Sequence, residues 1–134
     1  MPDKAAAPAM MRSPLGQVRG LGSAHAGVGH WWAQKVTAIA LIPLTLWFVC
    51  AVIRLAGQPR AAVEQWAASP LVASLLIALI LATFHHLQLG LQAIYDDYIR
   101  GDHARMATTL ITKGVVALLA LVSIVSVLKL ALGM

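Results

Sequence analysis

Charged residues are scarce in this sequence: Asp, Glu, Lys and Arg make up 11% of its 134 residues, whereas 60% are hydrophobic. A soluble domain of this length needs far more charged surface, so the shortage excludes an ordinary soluble protein and predicts an all-α membrane protein. The few charges give a net charge of +5. Because the Lys and Arg residues cluster around apolar runs, membrane topology and lipid headgroups account for them, and we expect no nucleic-acid partner.

Cysteine is also nearly absent. The single Cys50 lies inside an apolar run, which excludes a disulfide within the chain and any cysteine-ligated metal or iron–sulfur site. The first 29 residues lack the apolar core of a secretory signal peptide and are rich in Ala, Gly and Ser. We interpret 1–29 as a flexible cytoplasmic segment.

Three apolar runs predict transmembrane helices at about 32–55, 70–98 and 108–132. Each has the roughly 20 residues that a bilayer requires. Ser69 followed by Pro70 is a typical helix start, and the connection before it has room for a short interfacial helix at 61–67. Residues 30–134 are therefore predicted to form one three-helix transmembrane anchor domain. Three helices enclose little interior, so we expect them to pack against a partner.

The orientation of these spans follows from the basic residues at their ends. Those on the side of the N-terminus and the second loop are Lys4, Arg12, Arg19, Lys35, Arg100, Arg105 and Lys113, and those on the other side are Arg54, Arg60 and Lys129. Because cytoplasmic flanks carry the excess of Lys and Arg, the N-terminus is predicted to be cytoplasmic.

The second predicted span contains polar residues that a bilayer disfavours. His85 and His86 lie within it, and Asp97-Tyr98 stands at its end. Ionisable side chains are costly in a membrane and mark function. Eleven residues turn a helix by about 1100°, so His86 and Asp97 share one face and lie about 16 Å apart along the axis.

Two neighbouring faces of this helix are expected to point away from lipid. One carries His86, Gly90, Ala93 and Asp97, and the other carries His85, Gln88, Gln92 and Asp96. From the residues alone, a buried His86 has three interpretations: an interhelical hydrogen bond, a proton relay or an axial haem ligand. The small Gly90 one turn away favours haem, because a porphyrin needs a flat wall.

The spacing of His86, ten residues and then Asp97-Tyr98 resembles the family of hydrophobic membrane-anchor subunits of succinate dehydrogenase. The lead-in to the first span, HWWAQKVTAIAL from His30 to Leu41, is similar to the same family. The resemblance covers the chain from about Gly22 to the C-terminus.

This resemblance implies a haem-binding helical bundle formed with a second, cytochrome b anchor subunit. It implies that His86 is an axial ligand of haem b and that the second anchor subunit supplies the other. Tyr98 would hydrogen-bond a ubiquinone carbonyl, with Asp97 beside it. Lys35, where the family often has arginine, and the weaker candidate His30 would lie near the haem propionates.

The same resemblance implies further partners. An iron–sulfur subunit and a flavoprotein subunit would complete a succinate:ubiquinone oxidoreductase, respiratory complex II. The lack of a convincing transit peptide favours the bacterial inner membrane over the mitochondrial inner membrane. The chain would not oxidise succinate by itself. Two alternatives stay open: the anchor of a fumarate reductase or another membrane cytochrome b, and a proton-relay subunit of a small transporter that uses His85, His86 and Asp97 without haem.

Overall fold

The computed structural model describes residues 13–15 and 27–134. Along 27–134 the chain forms four helices in succession. They are α1 (Gly27–Leu55), α2 (Arg60–Ala67), α3 (Pro70–Tyr98) and α4 (Asp102–Ala131). The described residues contain no strand. Helices α1, α3 and α4 are each long and apolar enough to cross a membrane, so the prediction of an all-α membrane protein with three spans is confirmed.

The helix boundaries show where hydropathy was informative. Helix α3 matches the predicted span at both ends, with Ser69 as its N-cap residue and Pro70 in its first turn. Helices α1 and α4 begin five and six residues before their predicted spans. Hydropathy detects the part of a helix that is in lipid, whereas polar turns outside the lipid continue the same backbone hydrogen bonds.

The first residues of α1 correct one predicted boundary. Gly27–Gly29 are helical, although 1–29 was expected to be flexible. The rest of that segment, apart from 13–15, lies outside the described residues, and the prediction is not tested there.

Helix α2 connects α1 to α3 outside the hydrophobic spans. Gly57, with a φ of +79°, turns the chain after α1. The indole rings of Trp47 on α1 and Trp66 on α2 are stacked, with their centroids 6.0 Å apart. This contact fixes the short helix against the end of α1. A short helix is what the sequence predicted at 61–67.

The transmembrane helices pack with α3 in the centre, in contact with both α1 and α4, while α2 contacts α3 and α4. The buried apolar residues among those described are few: Ala51, Ala67, Leu76, Leu89 and Val116. Large apolar side chains instead cover the outside of the helices. Such a surface is stable only in lipid or against other apolar helices.

Candidate functional site

His86 lies where α3 crosses α1. Its imidazole Nδ1 is 3.0 Å from the hydroxyl oxygen of Thr37 on α1, and both residues are partly buried. An interhelical hydrogen bond of this kind was one of the three interpretations that the sequence left open for His86. It joins the middle of the second span to the first.

The surroundings of Thr37 decide which imidazole nitrogen carries the proton. The Thr37 hydroxyl lies 2.9 Å from the carbonyl oxygen of Ala33 and 3.1 Å from that of Gln34. A carbonyl only accepts hydrogen bonds, so the hydroxyl, in contact with both carbonyls, is placed to donate its single proton within α1. The hydroxyl oxygen then accepts a hydrogen bond from Nδ1–H of His86. The neutral tautomer with a free electron pair on Nε2 is therefore favoured, which is the form of histidine that binds a metal.

Space beside His86 is available on the same helix face. A Cβ atom added at Gly90, one turn along α3, would have no neighbour within 4 Å. No group of three or more His, Cys, Asp and Glu side chains that could hold a metal occurs among the described residues.

Asp97 and Tyr98 end α3, and Tyr98 lies about 18 Å from His86 along the helix axis. Both side chains are exposed, and Tyr98 is 81% exposed. A phenol and a carboxylate at a helix end can bind a polar group that approaches from outside the chain. Because the described residues leave the Tyr98 phenol on the surface, an enclosed site there needs a second surface.

The two residues predicted near the haem propionates lie on different faces of α1. His30 precedes Thr37 by seven residues and so shares its face; it lines a cavity of about 250 Å³ with Gln92 and Asp96 of α3. Lys35 precedes Thr37 by two residues and points to nearly the opposite side. Its ammonium group lies 5.8 Å from the centre of a Trp31 ring. Of the two, His30 is nearer to the face that contacts α3.

The second polar face of α3 is turned toward α4. His85, Gln88 and Gln92 line a cavity of about 400 Å³ together with Lys113 of α4. One turn beyond, the hydroxyl of Tyr95 is 2.9 Å from the hydroxyl of Thr112. Part of each polar face thus meets a neighbouring helix, through His86 at α1 and Gln88 at α4. His85, Asp96 and Asp97 are exposed in the chain itself.

Sequence reasoning missed Thr37 as the partner of His86, and the Tyr95–Thr112 pair. The available signal was weak, because each is a hydroxyl within an apolar run that also contains other Thr residues. Hydroxyl groups in membrane helices seek a partner within hydrogen-bond distance. Which partner they find depends on the rotation of neighbouring helices.

Comparison with known proteins gives consistent matches. Residues 10–127 match the model of a family described as succinate dehydrogenase/fumarate reductase transmembrane subunit. The chain is 32% identical to a succinate dehydrogenase hydrophobic membrane anchor subunit of Paracoccus denitrificans, over 71% of this chain and 74% of that protein. A protein of the same description from Rickettsia conorii is 25% identical over 86% of this chain and 89% of its own length. No solved structure matches this chain significantly.

Proposed function

This chain belongs to the succinate dehydrogenase/fumarate reductase transmembrane subunit family, and we propose that it is the hydrophobic membrane anchor of a succinate:ubiquinone oxidoreductase. In that role it co-ligates haem b and helps to form the site where ubiquinone is reduced. The relatives described as succinate dehydrogenase anchors favour this enzyme over a fumarate reductase.

The observation that carries the haem proposal is the hydrogen bond between His86 and Thr37. It orients the imidazole and directs the proton to Nδ1, which leaves the Nε2 electron pair for iron. Such a bond also raises the basicity of the ligating nitrogen. Because Thr37 is anchored to the α1 backbone, the imidazole is already oriented before the iron binds.

The open space at Gly90 supports the same proposal. A bound haem b would accept and return single electrons near the quinone site. Histidine is the usual ligand of such an iron, and a second axial histidine would come from the cytochrome b anchor subunit. We propose that His30 and Lys35 bind the propionates. His30 lies on the face of α1 that contacts α3, and Lys35 has a long side chain that can reach around the helix.

At the C-terminal end of α3, Tyr98 and Asp97 are proposed to bind ubiquinone. The phenol donates a hydrogen bond to a carbonyl oxygen of the quinone, and this bond strengthens as negative charge develops on that oxygen. Asp97 orients the phenol or accepts a proton through water. The exposure of Tyr98 supports a site that is completed by another subunit.

The proposed partners follow from this arrangement. The iron–sulfur subunit, joined to the flavoprotein subunit, docks at the end of α3, and the cytochrome b anchor subunit covers the exposed apolar faces. The distribution of Lys and Arg supports a cytoplasmic N-terminus in the bacterial inner membrane. The end of α3 then faces the cytoplasm, where the soluble subunits lie.

Replacing His86 tests the haem proposal. In the purified complex, His86→Ala is expected to remove or strongly diminish the b-type band of the reduced-minus-oxidised absorbance spectrum, because one axial ligand is lost. The matched control is His85→Ala, which removes the neighbouring imidazole about 100° around the helix and should retain the band. An unchanged spectrum in His86→Ala would refute the assignment. Absence of any haem from the unmodified complex would favour the transporter alternative.

A further inference from the structure

The cavity between α3 and α4 has no role in the proposed haem or quinone chemistry. It measures about 400 Å³, far more than the roughly 30 Å³ that one water molecule occupies in the liquid. Its lining combines apolar side chains with His85, Gln88, Gln92 and Lys113. Such a concentration of polar groups is unusual on membrane helices. Gln88 and Gln92 are half-buried here, whereas His85 and Lys113 are exposed.

Gln88 is the most informative of these residues. Both polar atoms of its side-chain amide, Nε2 and Oε1, are buried without a hydrogen-bond partner. A buried amide without partners is unfavourable, and more so in a membrane, where no bulk water competes. Gln88 also lines the cavity, so its amide group lies beside the space that an occupant would fill.

The polar groups are arranged by depth. The end of α3 and the start of α4 lie on the same side, so Gln92 and Lys113 are the cavity residues nearest to that surface. Gln88 lies one turn deeper, about 15 Å from the end of α3, and His85 lies nearly a further turn inside. Beyond His85 the lining of α3 is apolar, with Phe84 and then Leu81. The cavity is thus polar toward the surface and apolar at its inner end.

A second cavity shares one lining residue with the first. Gln92 also lines the space of about 250 Å³ that contains His30 and Asp96. Asp96 is exposed at the end of α3. Nε2 of His30 is, like the Gln88 amide, buried without a partner. Two adjoining cavities that share Gln92 therefore hold all three of the unpartnered buried polar atoms found among the described residues.

We propose that these cavities bind a connected group of water molecules that extends from the surface at Asp96 to Gln88 and His85. Water both donates and accepts, so it satisfies the amide nitrogen and the amide oxygen of Gln88 alike. A lipid carboxylate or phosphate accepts only, and would leave Oε1 unpaired. An acyl chain would leave both atoms unpaired. The chemistry of the lining therefore favours water as the occupant.

Cysteine accessibility tests this proposal in native membranes that contain the assembled complex. Cys50, the single cysteine, is replaced by Ser, and Gln88→Cys is compared with Leu87→Cys. Leu87 lies at almost the same depth but is 44% exposed and does not line the cavity. Both are treated with 2-sulfonatoethyl methanethiosulfonate in open membrane fragments, and labelling of this chain is followed by its intact mass. His103→Cys, exposed at the start of α4, gives the rate for a surface thiol.

The Gln88→Cys thiol is expected to react on the order of 100-fold faster than the Leu87→Cys thiol, because ionisation to the reactive thiolate requires a hydrated environment. Equal, slow rates at both positions would overturn the proposal and indicate that lipid or a partner side chain fills the cavity. If Gln88→Cys fails to assemble, Ala117→Cys in the cavity wall and Leu118→Cys outside it form a second pair with the same expected difference. Neither pair depends on haem ligation by His86.

Discussion

At the scale of single residues, the contact between His86 and Thr37 has the clearest chemical consequence. Threonine hydroxyls in helices commonly donate to a carbonyl one turn earlier, as Thr37 does. That local bond makes the hydroxyl oxygen an acceptor toward α3. The proton of the imidazole is thereby directed to Nδ1, and Nε2 becomes the available ligand. One hydroxyl on α1 thus determines the chemistry of a histidine on α3.

Replacing the Thr37 hydroxyl should weaken haem binding without removing the ligand. Thr37→Val keeps the branched shape but leaves Nδ1–H of His86 unpaired, so we expect about tenfold weaker haem retention, the usual cost of losing such a partner. The haem midpoint potential should also rise, because a less basic ligand stabilises the ferric state less. Haem content after detergent washing and a redox titration measure the two effects.

Thr37→Ser is the matched control, since it retains the hydroxyl and should remain close to the unmodified protein on both measurements. If Thr37→Val has the same potential and the same haem content as the unmodified protein, the hydrogen bond only supports packing.

At the scale of the elements, α3 separates its polar residues between two neighbours. His86 contacts α1 through Thr37, whereas Gln88 faces the cavity at α4. Gln92 lines that cavity and also the one that contains His30 of α1. Because adjacent residues on a helix diverge by about 100°, His85 and His86 cannot serve the same site. The central position of α3 allows one helix to present His86 toward α1 and to line a polar cavity at α4.

The helix face that carries His86 and the small residue Gly90 gives a prediction about added bulk. Gly90→Leu should be accepted by the chain itself, since a Cβ there meets nothing within 4 Å, and leucine favours the helix more than glycine does. A leucine one turn from His86 should nevertheless block the approach of a flat haem or a partner helix, and haem content in the complex should fall several-fold. Quantitative haem extraction from purified complex measures this.

Gly114→Leu on α4 is the control for added bulk, because that glycine also has open space around it. Normal haem content in Gly90→Leu, or equal loss in both variants, would contradict a specific role for the Gly90 face.

At the scale of the whole molecule, the chain has little interior. Five described apolar residues are buried, and the remaining apolar surface must be covered by lipid or by other subunits. The proposed quinone site is also uncovered in the chain itself, since Tyr98 is 81% exposed. The quinone would therefore bind at an interface between subunits, and its chemistry depends on assembly.

Electron transfer through the assembled enzyme tests that interface. Tyr98→Phe removes the phenolic donor and should lower succinate:ubiquinone activity by on the order of 10- to 100-fold, the range expected for loss of a hydrogen bond to a developing negative charge. Succinate oxidation with an artificial acceptor should be unchanged, because that route bypasses the quinone. Equal loss of both activities would instead indicate failed assembly. Tyr95→Phe, which removes a phenol bonded to Thr112 within the chain, controls for the loss of a tyrosine hydroxyl.

The sequence by itself determined the fold class and the number of spans. Hydropathy is a local property, and a bilayer accepts an apolar segment only as a helix that satisfies its own backbone. For the same reason the limits of α3 followed from the sequence at both ends, including the start at Ser69-Pro70. The early starts of α1 and α4 did not follow, because their first turns lie outside the apolar runs.

Only the tertiary structure decided what each polar side chain of α3 meets. Helical periodicity grouped His86 with Gly90, and His85 with Gln88, but it carried no information about the neighbouring helices. The pairing of His86 with Thr37 and the cavity at Gln88 depend on how α1 and α4 are rotated and shifted against α3. That register is set by packing between residues far apart in the chain, which no local pattern encodes.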